Sequence, residues 1–225
     1  MNNIEDVSKS AGTRRGAYLA WFVFFAQIPF VIWYARGLSP LHPIVVMLPL
    51  VGLINFKIEK RGAEGIGLRI VRPWRSALLA LIYATLSAVG WGIALYLQGE
   101  KLRSSPYRAQ TSWALIEAFL VGVFIIALWE EAVNRGFIQT RLQAGWGFRG
   151  VVVTALLFAA VHLPSAILEG DGRLLPAAFR FLETGLVGFA FGYVYWRSGS
   201  VITTIAMHGL NNFLAGALFL FSGLT

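Results

Sequence analysis

Residues 113–141 read WALIEAFLVGVFIIALWEEAVNRGFIQTR. About 20 mostly apolar residues cross a hydrocarbon layer of roughly 30 Å, and this stretch has that length. Its second half nevertheless carries Glu130, Glu131, Asn134 and Arg135. An ionisable side chain inside a span costs on the order of 3 kcal/mol on insertion scales, so each one needs a reason to be there. Adjacent helical positions lie about 100° apart, so Glu130 and Glu131 face different neighbours. Each has a polar residue one turn further on: Asn134 for Glu130 and Arg135 for Glu131. Glu131 with Arg135 reads as a buried ion pair that fixes packing. Asn134 supplies no charge, so Glu130 is left to be protonated, wetted by a cavity, or set against a histidine or a metal.

The same apolar character runs outward from this segment. Of the 225 residues, 57% are apolar and only 13% charged, too few polar groups to cover a soluble fold. The mean hydropathy of +0.66 agrees. Apolar runs near 16–35, 40–56, 76–97, 113–141, 149–168, 175–196 and 200–222 predict an all-α, polytopic transmembrane helical bundle of about seven spans. The second is short and crowded by Pro40, Pro43 and Pro49, which predicts a tilted, kinked or partly interfacial segment. Residues 1–112 read as N-terminal transmembrane helices with a basic cytoplasmic loop, and 113–225 as a helical core holding the polar cluster. In the sixth run Gly185, Gly188 and Gly192 recur at helical spacing, which lets another helix approach closely.

The net charge of +8 does not point to nucleic acid, because the basic residues are scattered between apolar segments and form no single stripe. Charge bias along the loops explains them. Lys9, Arg14 and Arg15, then Lys57 to Arg75, then Arg135, Arg141, Arg149 and Arg197 fall on one side if the N-terminus is cytoplasmic, so a multi-pass integral membrane protein is expected N-in and C-out. The connection Lys57–Arg75 fits an amphipathic loop on anionic membrane lipid. The first run has no small-residue cleavage site and reads as an uncleaved span, and neither a myristoylation nor a prenylation signal is present. The chain has no cysteine, which excludes disulfides, thiolate metal sites and a cysteine nucleophile.

Two of the three histidines lie inside apolar runs. His162 ends Phe158-Ala159-Ala160-Val161-His162, and His208 begins His208-Gly209-Leu210-Asn211-Asn212. Taken singly, each reads first as a hydrogen-bonded packing residue. At 1.5 Å per residue, Glu130 lies about 16 Å from the end at Arg141, His162 about 20 Å from residue 149, and His208 about 12 Å from residue 200. Those depths permit all three to meet near the bilayer midplane. Asn212 is one turn beyond His208 on the same face, where its amide and a histidine N–H are both possible donors to a developing oxyanion. His42, between prolines, reads as a loop residue. Glu117 reads as an interfacial residue near a helix start, and Glu183 as the partner of Arg180.

Glu130-Glu131-x-x-x-Arg135, Phe158-x-x-x-His162 and His208-x-x-x-Asn212, in that order over roughly residues 113–215, resemble the CPBP family of intramembrane proteases. That family includes the type II CAAX prenyl proteases and the bacterial Abi proteins. The turn Ser198-Gly199-Ser200 also looks like the family. The resemblance implies that 113–225 is a catalytic core whose site residues are Glu130, Glu131, Arg135, His162, His208 and Asn212, in which Glu130, with His162 beside it, activates a water, and His208 and Asn212 stabilise the oxyanion. In the family's metal reading Glu130, His162 and His208 would instead be ligands to a divalent ion such as zinc. The implied partners are membrane lipid and a peptide or prenylated protein substrate.

The expectation is thus an intramembrane endopeptidase. Two alternatives stand beside it: a non-catalytic membrane immunity or scaffold protein of the same family, and an ion-coupled transporter. No paired inverted repeat or matching broken helix supports the transporter.

Overall fold

A computed structural model describes residues 14–37, 43–71, 73–98, 111–169 and 174–221, and among them every regular element is helical. Helix α1 spans Arg14–Ala35. Helix α2, Ile44–Gly52, carries Pro49 and widens into a π-helical turn at Leu53–Ile58, and a 3₁₀ turn follows at Ala63–Ile66. Helix α3 is Pro73–Gln98. Helix α4 starts at Ser112 and ends at Trp146, interrupted by π-helical stretches at Gly122–Ala127 and Ala132–Gln139. Helices α5 (Phe148–Glu169), α6 (Leu174–Ser198) and α7 (Val201–Phe221) complete the chain. Each of the seven expected apolar runs is therefore helical where described. Four helices, Arg14–Ala35, Trp113–Trp146, Phe148–Leu168 and Leu174–Ser198, are long and apolar enough to cross a membrane, whereas Ile44–Ile58 and Trp74–Gly90 are shorter apolar helices. His42 lies outside the described residues.

The chain divides into two compact units. The first, residues 1–69 and 129–201, has a core of Val23, Phe24, Met47, Val51, Trp129, Val133, Phe137, Ile138 and Val161, all buried. Its α5 and α6 meet along the glycine stripe. A Cβ on Gly185 would meet Ala159, one on Gly188 would meet Phe158 and Ala155, and one on Gly192 would meet Val151, so contact positions descend on α5 as they ascend on α6 and the pair is antiparallel. Gly136 plays the same part on α4, because a Cβ there would lie 2.5 Å from the carbonyl oxygen of Ile66.

Residues 55–69 fold against this unit. Arg141 is buried and donates to Glu59, to Asn55 Oδ1 at 3.2 Å and to the Phe137 carbonyl at 3.0 Å. Asn55 in turn donates to the Gly62 carbonyl at 3.0 Å. The family-like turn Ser198-Gly199-Ser200 is clamped here: Arg69 Nε donates to the Gly199 carbonyl (2.7 Å), Ser200 Oγ to the Arg69 carbonyl (2.6 Å), and the Val201 amide to the Gly67 carbonyl (2.9 Å). Gly67 and Gly199 both have positive φ (67° and 64°), the region where only glycine avoids strain.

The second unit, residues 70–128 and 202–225, joins α3, the first half of α4 and α7. Thr203 donates to Ser76 (2.8 Å), while Ser87 and Tyr83 donate to Asn211 Oδ1 (2.6 and 3.3 Å), so α3 and α7 run parallel. Phe119 meets Phe213 edge-on at 5.5 Å, and a Cβ on Gly209 would strike Val123, which makes α4 and α7 antiparallel.

Replacing Gly136 by alanine should force α4 and the Ile66 turn apart. We expect a loss of about 1–3 kcal/mol, typical of overpacking, seen as a lower thermal midpoint in detergent. An unchanged midpoint would contradict the close approach.

Candidate active site

All eight residues of the second π-helical stretch, Ala132–Gln139, are buried, although three of them are Asn, Arg and Gln. A polar group out of water must find a partner, and a π-helix, closed by i→i+5 bonds, recurs at functional sites. Here the side chains turn back onto main-chain carbonyls. Asn134 Nδ2 donates to the Glu130 carbonyl (2.8 Å), Thr140 Oγ1 to that of Arg135 (3.2 Å) and Arg141 to that of Phe137. Two more reach across to α6: Arg135 Nη2 to the Gly188 carbonyl (3.1 Å) and Gln139 Nε2 to the Gly192 carbonyl (2.8 Å).

Glu131 and Arg135 form the expected one-turn ion pair, Nη1 to Oε1 at 3.0 Å, with both side chains shut off from solvent. The guanidinium also lies 4.2 Å from the Phe158 ring and 5.5 Å from that of Phe191, within the range of a cation–π contact. Asn134 differs from the expectation. Its amide bonds the Glu130 main chain rather than the carboxylate, so the one-turn partnership written in the sequence is spent on the backbone.

The Glu130 carboxylate faces His162 instead. Oε2 and Nε2 stand 3.8 Å apart, and the two side chains keep 12% and 26% exposure, in contrast to the closed pair beside them. His162 Nδ1 lies 2.7 Å from the Phe158 carbonyl. A carbonyl oxygen only accepts, so Nδ1 carries a hydrogen, and in the neutral form of the ring the Nε2 lone pair is turned toward Glu130. A separation of 3.8 Å exceeds a direct hydrogen bond, and it suits two acceptors that share one small donor. Phe158 contributes twice, through its carbonyl and through a ring 4.7 Å from the imidazole.

In the second unit His208 and Asn212 are both buried, one turn apart on α7. The interhelical bonding that Asn212 could have served belongs to its neighbour Asn211, which takes both α3 hydroxyls. Asn212 packs against Gly122, and among the described residues its amide nitrogen has no hydrogen-bond partner. Arg180 and Glu183 form an exposed pair at 3.0 Å, as their spacing predicts, and Glu117 is exposed on α4. The Glu59–Arg141 pair, 82 positions apart, was not foreseen, since no local spacing announces it.

Residues 110–214 match a family model described as type II CAAX prenyl endopeptidase Rce1-like. This segment is similar to that family. The Rce1-like segment is less than half of the chain and contains Glu130, Glu131, Arg135, His162, His208 and Asn212. Comparison with curated proteins and with solved structures gave no match. The family is one of proteases, and with its apolar helices the chain is an integral membrane protein. A structural metal needs about four donors and a catalytic one about three from protein. Among the described residues no group of three or more His, Asp or Glu side chains is placed to hold one.

Removing one member of the Glu131–Arg135 pair strands a buried charge, at a cost of about 3–5 kcal/mol. Arg135→Met should accordingly lower the thermal midpoint sharply, and the double change Glu131→Leu with Arg135→Met should recover part of the loss. Equal destabilisation by single and double variants would show that the charge pairing is not what holds the site.

Proposed function

We propose that this protein is an intramembrane endopeptidase that hydrolyses a peptide bond of a membrane-associated substrate, of the prenylated CAAX type, with Glu130 as the base. The observation that carries the reading is the Glu130–His162 arrangement: two acceptor atoms 3.8 Å apart, partly open, on a histidine whose other nitrogen is already committed. A water held between them donates one hydrogen to Glu130 Oε2 and the other to His162 Nε2, which turns its lone pair toward a substrate carbonyl carbon. As the C–O bond forms, Glu130 takes the proton. It then returns that proton to the leaving amine nitrogen as the C–N bond breaks, so base and acid are one group in succession. Positioned acid–base groups of this kind contribute about 10²–10⁴-fold.

The carbonyl oxygen gains negative charge in the tetrahedral intermediate and needs donors aimed at it. The Asn212 amide and a ring N–H of His208, one turn apart, are the groups assigned to that task; the unengaged amide nitrogen of Asn212 supports the assignment. Glu131 and Arg135 touch no reacting atom in this scheme. They hold Phe158, and Phe158 holds His162.

The test is release of the C-terminal tripeptide from a farnesylated peptide by purified protein in liposomes. Glu130→Gln should lower turnover at least about 10²-fold with no change in thermal midpoint, and Asn212→Ala should lower kcat by about 10²–10³ with little change in KM. Full activity of Glu130→Gln would refute the mechanism. Loss of activity on chelation, restored by zinc, would make Glu130, His162 and His208 metal ligands instead.

A further inference from the structure

At the end of α1 that begins with Arg14, and the end of α4 that finishes at Trp146, a cleft of about 400 Å³ opens to the surface. Its lining includes Arg14, Tyr18, Trp21, Arg141, Leu142 and Trp146. None of these residues takes part in the proteolytic scheme. Both helices are long and apolar enough to span a bilayer, and the tyrosine and tryptophans at their shared end are residue types that concentrate at the headgroup level.

The cleft has two chemically distinct parts. Arg141 at its base is already neutralised by Glu59 and held by Asn55, which makes it a fixed polar floor. Arg14 is exposed, and its positive charge stands at the mouth. Away from the mouth, Tyr18, Phe22 and Phe25 follow one another up α1 at spacings of four and three, 71%, 55% and 60% exposed. Residues so spaced share one helix face, and they form an apolar track leading from a cationic mouth along the span. Trp21 stacks on Phe25 at 5.9 Å and stiffens the wall between cleft and track.

We propose that this cleft binds an anionic phospholipid, with the phosphate at Arg14 between Tyr18 and Trp146, and an acyl chain along Tyr18, Phe22 and Phe25. The polar mouth and apolar track together match a molecule that carries a negative phosphate and a hydrocarbon chain. A soluble anion would use only the first and a neutral lipid only the second. The site is separate from the Glu130–His162 pair and does not depend on the protein's being a protease.

The test uses the full chain in phosphatidylcholine vesicles containing brominated phosphatidylglycerol or, in parallel, brominated phosphatidylcholine at the same mole fraction. Fluorescence quenching at the cleft is taken as the difference between the wild type and the Trp21→Phe, Trp146→Phe double variant. An arginine near the surface favours an anionic lipid by an amount equivalent to about fivefold enrichment. The phosphatidylglycerol signal should exceed the phosphatidylcholine signal by that factor, and Arg14→Gln should bring the two together while cleavage activity is unchanged. Equal quenching in the wild type, or an enrichment that survives Arg14→Gln, would overturn the proposal. Displacement by excess inorganic phosphate would also overturn it, in favour of a soluble anion.

Discussion

A guanidinium with no access to solvent has to be met on every side by protein, and in the first unit Arg135 sets that requirement. Glu131 answers its charge, the Gly188 carbonyl takes one donor, and the rings of Phe158 and Phe191 cover it. The arrangement favours glycine at 188, where a Cβ would press on the Phe158 ring at 3.0 Å and touch Arg135 itself at 3.5 Å. The helix approach and the buried cation are thus one constraint. Phe158 then hands the order on, since its carbonyl orients His162 and the imidazole faces Glu130. A pair with residual exposure rests on a pair with none.

Within an apolar phase no water is at hand to satisfy the main chain, and the second half of α4 departs from regular α-helix. The response is consistent along its length. Asn134, Thr140 and Arg141 serve carbonyls of their own helix, while Arg135 and Gln139 serve carbonyls of α6. These five side chains act as structural solvent for main-chain carbonyls, while the Glu130 carboxylate is turned to His162. That division explains how so polar a sequence is buried.

The helices were legible in the sequence because an apolar run of membrane length leaves few other conformations open. Glu131 with Arg135 and Arg180 with Glu183 were legible for a similar reason, since each pair lies within one helical turn. The glycine stripe announced a close approach, which the contacts on α5 supply. Asn134 was misread because one-turn spacing says that two residues are near, not whether the side chain or the main chain receives the bond, and π-helical geometry changes that choice. Asn211 escaped notice for want of a local signal: Tyr83 and Ser87 are more than 120 positions away. Spacing alone marked His162 as a buried histidine. Its tautomer emerged only with the Phe158 carbonyl in place.

The buried Glu59–Arg141 pair has a consequence for how the protein is made. Glu59 follows a short apolar helix, Ile44–Ile58, and its partner is synthesised 82 residues later. Until α4 has been delivered to the bilayer, the cation within reach of this carboxylate is Arg61, two positions on and 3.8 Å away. The local pair can form as the segment emerges, whereas the hydrogen-bonded pair with Arg141 waits for α4. Residues 55–69 thus acquire their long-range anchor late in synthesis.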